Sequence, residues 1–237
     1  MKTYIWSVPT RFFHWLLFIG LVVAYILGDE ETNLNLHTAL GYMVATLVIF
    51  RIFWGFVGPK YSLFKDFPAG FKSLKSFLSD MKGSRDQYIG HNPAASIVML
   101  FILLFILLVA CSGMLALASK GHGPLNFLII GKSEIYKELH EVFVNILIVL
   151  VVLHLIGMIA DSIMHGNSGT LTSMFTGYKP QSGESIKLNN FQKIFPTLFV
   201  ALALVTFVLG VTLQNIPKED KEKEHNKNEM QIKKDDD

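Results

Sequence analysis

The chain has 237 residues, 51% of them hydrophobic, and a formal net charge of +2. This composition is too apolar for an ordinary soluble domain and predicts a polytopic membrane protein. The small net charge excludes the strongly basic surface of a nucleic-acid-binding protein, and the single cysteine, Cys111, excludes an intrachain disulfide and a cysteine-based metal cluster.

Five apolar segments approach or exceed the ~20 residues that a helix needs to cross a bilayer. They lie at about 11–28, 36–57, 94–118, 139–163 and 196–213. We therefore predict an all-α integral membrane protein surrounded by lipid. Its first four spans form a transmembrane bundle in residues 1–180, residues 181–216 form a linker and a fifth transmembrane helix, and residues 217–237 form a charged, disordered tail. A signal peptide is the alternative for the first segment, but no clear small-residue cleavage site follows it, which favours a retained helix.

The distribution of basic residues predicts the orientation in the membrane. The N-terminus through Arg11 and the connections 51–93 and 165–194 contain twelve Lys and Arg, whereas the connections 29–35 and 119–138 contain three. Because basic residues collect on the cytoplasmic side, we predict a cytoplasmic N-terminus and a tail on the outer side of the membrane.

The longest connection contains a predicted amphipathic helix within residues 68–82. Phe71, Leu74, Leu78 and Met81 recur at helical spacing there, with lysines elsewhere around the helix. Such a helix can lie on the inner membrane surface with its lysines toward anionic headgroups, or pack on the bundle or on a partner subunit. The sequence leaves both interpretations open.

Two histidines of the fourth span, His140 and His154, are fourteen positions apart. At ~100° and ~1.5 Å per helical residue, fourteen steps return to within about 40° of the starting direction and advance roughly 21 Å. One helix face thus presents an imidazole near each membrane surface. A neutral imidazole in hydrocarbon needs a partner, which makes both candidate ligands.

Two further histidines match this pair in depth. The predicted orientation puts His37 with His140 at the outer level and His14 with His154 at the inner level. Two imidazoles that face each other across a bundle are the axial ligands of a b-type haem. We therefore predict two haem b groups, the inner iron held by His14 and His154 and the outer iron by His37 and His140. Because both axial positions of each iron are filled, the pattern favours electron transfer.

Two arginines are candidates for the haem propionates. Arg51 follows His37 by fourteen positions, so it projects from nearly the same face at the inner level, and Arg11 lies one turn before His14. A guanidinium pairs well with carboxylates. Both arginines can instead be positive anchors that reach toward lipid headgroups.

Two glycines lie one turn after predicted ligands, Gly41 after His37 and Gly157 after His154. The missing side chains would leave room for a porphyrin, although glycine also serves close helix packing in membranes.

The other histidines carry less information. His91 precedes Asn92 and Pro93, a pair that suits the start of a helix. His165 follows His154 by eleven positions and is an alternative inner ligand, if the helix continues that far.

Several motifs together resemble a known family over Trp6 to Lys179. These are Arg11-Phe12-Phe13-His14-Trp15, His37-Thr38-Ala39-Leu40-Gly41-Tyr42, Phe50-Arg51-Ile52-Phe53-Trp54-Gly55-Phe56-Val57-Gly58, Gly90-His91-Asn92-Pro93, the pair His140 and His154, and Met174-Phe175-Thr176-Gly177-Tyr178-Lys179. The chain resembles the bacterial cytochrome b561 family and the similar b-type cytochrome subunits of nickel-iron hydrogenases, which in turn resemble formate dehydrogenase membrane subunits.

The resemblance implies a four-helix core with two b haems, in which the first and second helices each supply one ligand and the fourth supplies two. The matching positions are His14, His37, His140 and His154. It also implies a place in the bacterial cytoplasmic membrane, so that the predicted tail is periplasmic. It further implies electron exchange with membrane quinone, a diffusible carrier, and with a periplasmic redox subunit such as a c-type cytochrome or a hydrogenase. The fifth span and the tail extend beyond this core.

We therefore expect a dihaem cytochrome b that transfers electrons across the cytoplasmic membrane in a respiratory chain, as an electron-transfer subunit or the quinone-reactive part of an oxidoreductase. The alternatives are a stand-alone quinol oxidase that uses a small diffusible acceptor, and a cofactor-free anchor or histidine-lined ion pathway. Glu138, Glu141 and Asp161 are candidates for the quinone site because they are carboxylates at span boundaries.

Overall fold

The structure is a computed structural model that describes residues 2–28, 31–81, 83, 88–121, 125, 133–165 and 169–213. The predicted tail at 217–237 lies outside these residues. The elements in chain order are β1 (Thr3–Tyr4), α1 (Val8–Ile26), α2 (Leu34–Val57), α3 (Phe71–Ser79), α4 (Pro93–Ser119), α5 (Ser133–His165), α6 (Thr170–Thr176), β2 (Tyr178–Lys179) and α7 (Asn190–Leu213), with short 3₁₀ turns at Glu31–Asn33 and Phe64–Asp66.

Five of these helices, α1, α2, α4, α5 and α7, are long and apolar enough to cross a membrane. This confirms the predicted all-α membrane bundle with a fifth helix after the four-helix core. The helices begin before the predicted spans, because a helix continues into the polar boundary: α5 begins at Ser133, six residues before its predicted span. Helix α1 ends at Ile26, two residues before its predicted end. We call the end of the bundle at the start of α1 the inner end, and the opposite end the outer end.

Two side-chain caps begin helices at the inner end. Ser7 Oγ accepts a hydrogen bond from Thr10 N at the start of α1, and Asn92 Oδ1 accepts one from Ala95 N, at 2.8 Å, at the start of α4. Pro93 fills the first position of α4, where a missing N–H costs nothing. Asn92 and Pro93 therefore begin this helix, as the sequence predicted.

Helix α2 is the centre of the bundle and contacts α1, α4 and α7, while α5 packs on α4. Trp54 of α2 is fully buried. Its indole N–H donates to Thr10 Oγ1 of α1 at 3.1 Å, and its ring is stacked on Phe195 of α7 with centroids 6.4 Å apart. One side chain thus connects α1, α2 and α7, and it anchors α7 to the rest of the bundle.

We expect Trp54→Ala to lower the free energy of unfolding by roughly 3–5 kcal/mol, the usual cost of removing a buried large aromatic side chain. Trp54→Phe retains the aromatic ring and should cost only about 1 kcal/mol for the lost hydrogen bond. Chemical denaturation of the purified protein in detergent measures both. Ile49→Ala is the control, because Ile49 lies on the same helix and is exposed; a loss as large as that of Trp54→Ala would contradict the central role of Trp54.

A small cap covers the inner end. Strand β1 pairs with β2 in antiparallel register, with Thr3 opposite Lys179. Gly177 has a φ of 88° at the end of α6, and its carbonyl accepts from Ile5 N at 2.9 Å. A Cβ at Gly177 would lie 2.8 Å from Trp6 O, so both the left-handed backbone and the close approach require glycine. The cap therefore holds the N-terminal segment against the connection after α5.

The start of the predicted linker at 181–216 belongs to this cap. Thr3 Oγ1 donates to Gln181 O at 2.6 Å, and Ile186 N donates to Tyr4 O at 2.9 Å. The first residues of that connection thus pack on the N-terminal strand before α7 begins at Asn190.

The amphipathic helix α3 is shorter than the predicted range and buries a different residue. Phe77 is buried and its ring contacts Tyr88, whereas Phe71 is 82% exposed and Leu78 is also exposed. Packing on the start of α4 selects Phe77, because the periodicity of the helix does not specify which part of its apolar face meets the bundle. The exposed side chains leave the remaining apolar face free for the membrane surface.

Candidate functional site

The structure brings two predicted ligands together at the outer end. His37 near the start of α2 and His140 of α5 have ring centroids 6.1 Å apart, with the rings at 83° to each other. Two imidazole nitrogens, each ~2.0 Å from a shared metal ion, put the ring centroids roughly 6 Å apart. The separation therefore fits two imidazoles on opposite sides of one iron.

Backbone carbonyls orient both of these rings. His37 Nδ1 lies 2.8 Å from Ala24 O, and His140 Nδ1 lies 3.0 Å from Val109 O, with Ser112 Oγ at 3.2 Å. A carbonyl oxygen can only accept, so we assign the proton of each ring to Nδ1. The Nε2 lone pairs are then free to bind a metal, and the carbonyls fix the tautomer and the ring orientation.

Glycines shape the space around the outer pair. A Cβ at Gly113 would lie 3.0 Å from His140 Cε1, and a Cβ at Gly28 would lie 3.4 Å from His37 Cε1. These two glycines therefore allow the helices to approach the imidazoles closely. At Gly41 a Cβ would meet no atom within 4 Å, so the protein leaves open space one turn from His37. A flat cofactor fits this arrangement.

The second predicted pair lies at the inner end. His14 and His154 both line a cavity of about 500 Å³, which we call the inner cavity; Gly157 and many apolar side chains also line it. A Cβ at Gly157 would meet no atom within 4 Å. His14 Nδ1 is hidden from solvent and has no hydrogen-bond partner among the described residues. The size and the mostly apolar wall are those of a small-molecule or cofactor pocket.

The two predicted arginines have different surroundings. Arg51 is only 4% exposed and lines the inner cavity. Its guanidinium carbon lies 5.1 Å from the Phe64 ring centroid, and its Nη1 has no hydrogen-bond partner in the described part of the chain. Arg11 donates to the carbonyl of Phe175 and is absent from the cavity wall. The structure thus favours Arg51 over Arg11 as a residue that faces a cofactor.

Two further polar residues line the inner cavity, His91 and Lys179. Both belong to motifs that carry the family resemblance, but the sequence predicted no cofactor-site role for either. The His91 ring lies between Trp6 and Phe67, with centroid distances of 4.9 and 4.7 Å. Burial, then the positive charges of Arg51 and Lys179, lower the pKa of His91 to about 3. Its imidazole is therefore neutral at pH 7.

Lys179 is 6% exposed and reaches the same cavity from strand β2. Burial lowers the pKa of its ammonium group, and nearby Asp161 partly opposes this effect. A two-residue strand that pairs with the N-terminus has no local sequence signal. Lys179 therefore looks like an ordinary basic residue of a connection.

The three carboxylates that are candidates for the quinone site lie in two different environments. Glu138 and Glu141 are exposed on the first turns of α5, and Glu141 lies 3.7 Å from the ammonium group of Lys137. Asp161 instead lines the inner cavity and accepts a hydrogen bond from Thr170 Oγ1 at 2.6 Å. The side chain of His165, the alternative ligand, lies outside the described residues.

Comparison with known proteins identifies relatives that match the part of the chain containing these sites. A family model described as prokaryotic cytochrome b561 matches residues 5–177. Three similar proteins carry the name "Probable Ni/Fe-hydrogenase B-type cytochrome subunit". The Rhizobium leguminosarum bv. viciae protein is 25% identical over 213 residues, which cover 74% of this chain and 88% of the relative. The Cupriavidus necator protein is 23% identical over 218 residues, or 75% and 86% of the two chains.

The Bradyrhizobium diazoefficiens protein is 25% identical over 210 residues, which cover 73% of this chain and 84% of that protein. No solved structure matches the chain significantly. The matched residues 5–177 include α1, α2, α4 and α5, the helices that supply all four histidines. The chain therefore belongs to the prokaryotic cytochrome b561 family and is a membrane-bound b-type cytochrome of electron transfer, with haem b as its cofactor.

Proposed function

We propose that the chain holds two haem b groups and relays electrons across the bacterial cytoplasmic membrane, between the quinone pool and a periplasmic redox partner. The observation that supports this most strongly is the placement of the four histidines. His37 and His140 meet at the outer end, while His14 and His154 line the inner cavity. One helix, α5, contributes a ligand at each end.

The four imidazoles would supply the axial ligands, two for each iron. When bound, haem b supplies a one-electron couple between Fe(III) and Fe(II). With two histidines on each iron, no coordination position would stay open, which would keep oxygen and substrates off the metal. Carbonyls of Ala24 and Val109 hold the outer imidazoles in the tautomer that presents Nε2. The apolar wall of the inner cavity excludes water and thereby influences the redox potential.

The orientation follows from the basic residues. With the N-terminus in the cytoplasm and the tail in the periplasm, His37 and His140 lie near the periplasmic surface, where a redox subunit can dock. The three relatives named as hydrogenase cytochrome subunits support a hydrogenase as that subunit; a c-type cytochrome is the other option. The chain would then act as the quinone-reactive, electron-transferring part of an oxidoreductase complex. Of the three candidate carboxylates, Asp161 is the one that lines the inner cavity, and it is our candidate for proton exchange with quinone.

Liposomes that enclose ferricyanide test the relay. Dithionite added outside does not cross the bilayer, so reduction of the enclosed ferricyanide reports electron transfer through the protein. We expect the wild type to accelerate this reduction severalfold, and His140→Ala or His154→Ala each to abolish the acceleration, because both irons are needed to span the membrane. Lys187→Met is the control, because Lys187 is exposed in the connection before α7. Full transfer in either histidine variant would contradict a relay through both sites.

Two further measurements discriminate among the alternatives. Reduction of the purified oxidised protein by ubiquinol or menaquinol, followed in the haem absorption bands, tests the quinone. Co-purification of a stoichiometric haem or iron-sulfur subunit favours the relay, whereas turnover of the isolated chain with a small acceptor favours the stand-alone quinol oxidase. A cofactor-free anchor or an ion pathway predicts no haem absorption.

A further inference from the structure

Two buried cationic side chains, Arg51 and Lys179, line the inner cavity. They are 4% and 6% exposed, and none of the ion pairs formed by the described residues includes either of them. A buried charge without a counter-ion is costly, and proteins compensate it with an anion or a metal. Because both charges are positive, the cavity wall calls for an anionic ligand.

The cavity's own carboxylate does not satisfy both cations. Asp161 lines the cavity, and its carboxylate already accepts a hydrogen bond from Thr170. It is near enough to Lys179 to raise the pKa of that ammonium group, against the larger effect of burial. Among the described residues that line the cavity, one carboxylate stands against two cations, which is an excess of positive charge, since His91 is neutral.

Separate elements hold the two cations in place. Arg51 projects from α2 and its guanidinium lies against the Phe64 and Phe67 rings. Lys179 is fixed in β2 opposite Thr3, so it approaches the cavity from the cap. Both positions are therefore set by packing and strand pairing, and neither side chain is a flexible surface cation.

We propose that Arg51 and Lys179 together bind the two propionate carboxylates of the inner haem, with Lys179 as a cofactor-positioning residue that the sequence did not identify. This inference rests on the proposed function. Haem b carries two propionates, which equal the two cations in number and are opposite to them in charge. A guanidinium binds a carboxylate through paired hydrogen bonds, and an ammonium group acts as a compact charge. The propionate edge of the porphyrin then faces the cap.

Lys179→Met tests this proposal through the potential of one haem. Removing a positive charge beside the inner haem favours Fe(III), so at a fixed ambient potential we expect its Fe(III) to Fe(II) ratio to rise about tenfold, which equals a ~59 mV lower potential for one electron. Arg51→Gln should lower the inner haem content as well. Lys179→Arg keeps the charge and should resemble the wild type. Redox titration followed by absorption spectroscopy measures the potentials, and haem quantitation measures the content.

Internal controls separate charge from folding. The outer haem lies at the other end of the bundle, so its content and potential should stay unchanged in Lys179→Met; a fall in both haems would mean that the cap has a purely structural role and would overturn the proposal. Lys187→Met, an exposed lysine of the same connection, should leave both potentials unchanged.

Two outcomes distinguish this inference from the proposed function. Full inner haem content and an unchanged potential in both Lys179→Met and Arg51→Gln would overturn the inference alone. If these variants also lost tightly bound phospholipid, measured as organic phosphate per chain, the two cations bind a lipid headgroup and the inference is wrong. A wild-type protein without haem would instead overturn the proposed function.

Discussion

His140→Ala is expected to remove the outer haem and to leave the inner one, and His154→Ala is expected to do the opposite. Each substitution deletes one proposed axial ligand. Among the described residues, His37 and His140 are the imidazoles that pair at the outer end. Haem content should fall from about two per chain in the wild type to about one in each variant, since even the loss of a group that only supports a metal ligand typically costs roughly 10–100-fold in affinity. Haem quantitation together with a reduced-minus-oxidised spectrum measures this.

The partner histidines test the pairing. His37→Ala should remove the same haem as His140→Ala, and His14→Ala the same haem as His154→Ala, as judged by the position of the lost absorption band and by the remaining potential. His91→Gln is the matched control, because His91 is an imidazole of the inner cavity that we do not assign to iron. Full bis-histidine haem content in both His140→Ala and His154→Ala would refute the ligand assignment.

If His154→Ala alone kept its haem, the alternative inner ligand would become relevant. His165 is on the same helix, α5, and the variant His154→Ala/His165→Ala would then be expected to lose that haem. Loss of the inner haem in His154→Ala itself makes this alternative unnecessary.

The spans and the levels of the histidines could be predicted because both depend on local regularities. Apolar length specifies a transmembrane helix, and the helical repeat carries a ligand through the membrane in fourteen steps. The 6.1 Å separation of His37 and His140 is a tertiary result that agrees with the predicted outer level. The rise of the helix separates His140 from His154 along α5, so the sequence could predict that the two lie near opposite ends of the bundle.

Residues of the cap could not be predicted in the same way. Lys179 reaches the inner cavity because β2 pairs with Thr3, 176 positions earlier in the chain, and two-residue strands have no periodicity to detect. The face of α3 was incompletely predicted for a similar reason: burial of Phe77 and exposure of Phe71 reflect contact with α4 and Tyr88, not the helical repeat.

Arg11 is a charged side chain whose contact with a distant element likewise could not be predicted from the local sequence. Its spacing from His14 suits a propionate partner, but in the structure its guanidinium donates to the carbonyl of Phe175 in α6. Spacing along a helix specifies a face, whereas the choice between a cofactor and a neighbouring carbonyl depends on elements far away in the chain. Its predicted role in binding a propionate remains to be tested, and Arg51 is the better supported candidate.

Gly41→Leu and Gly157→Leu are expected to exclude one haem each while the protein still folds. At both positions a Cβ would meet no protein atom within 4 Å, so a larger side chain enters open space and overpacking costs little. Gly210 differs, because a Cβ there would lie 2.8 Å from Ala39 Cα, which marks it as a helix-packing glycine. The open glycines lie one turn from His37 and from His154, where a porphyrin would have to lie.

Gly41→Leu should therefore lower the outer haem content from about one per chain to below about one tenth, a loss of the size that disturbing the surroundings of a metal site typically causes. Gly157→Leu should do the same for the inner haem, and each should leave the other haem and the elution volume in detergent unchanged. Ala201→Leu on α7 is the matched control, because Ala201 is exposed on the outside of the bundle. If both glycine variants kept two haems with unaltered potentials, the open space beside the histidines would not be the space that a porphyrin occupies, although the histidines themselves could still be ligands.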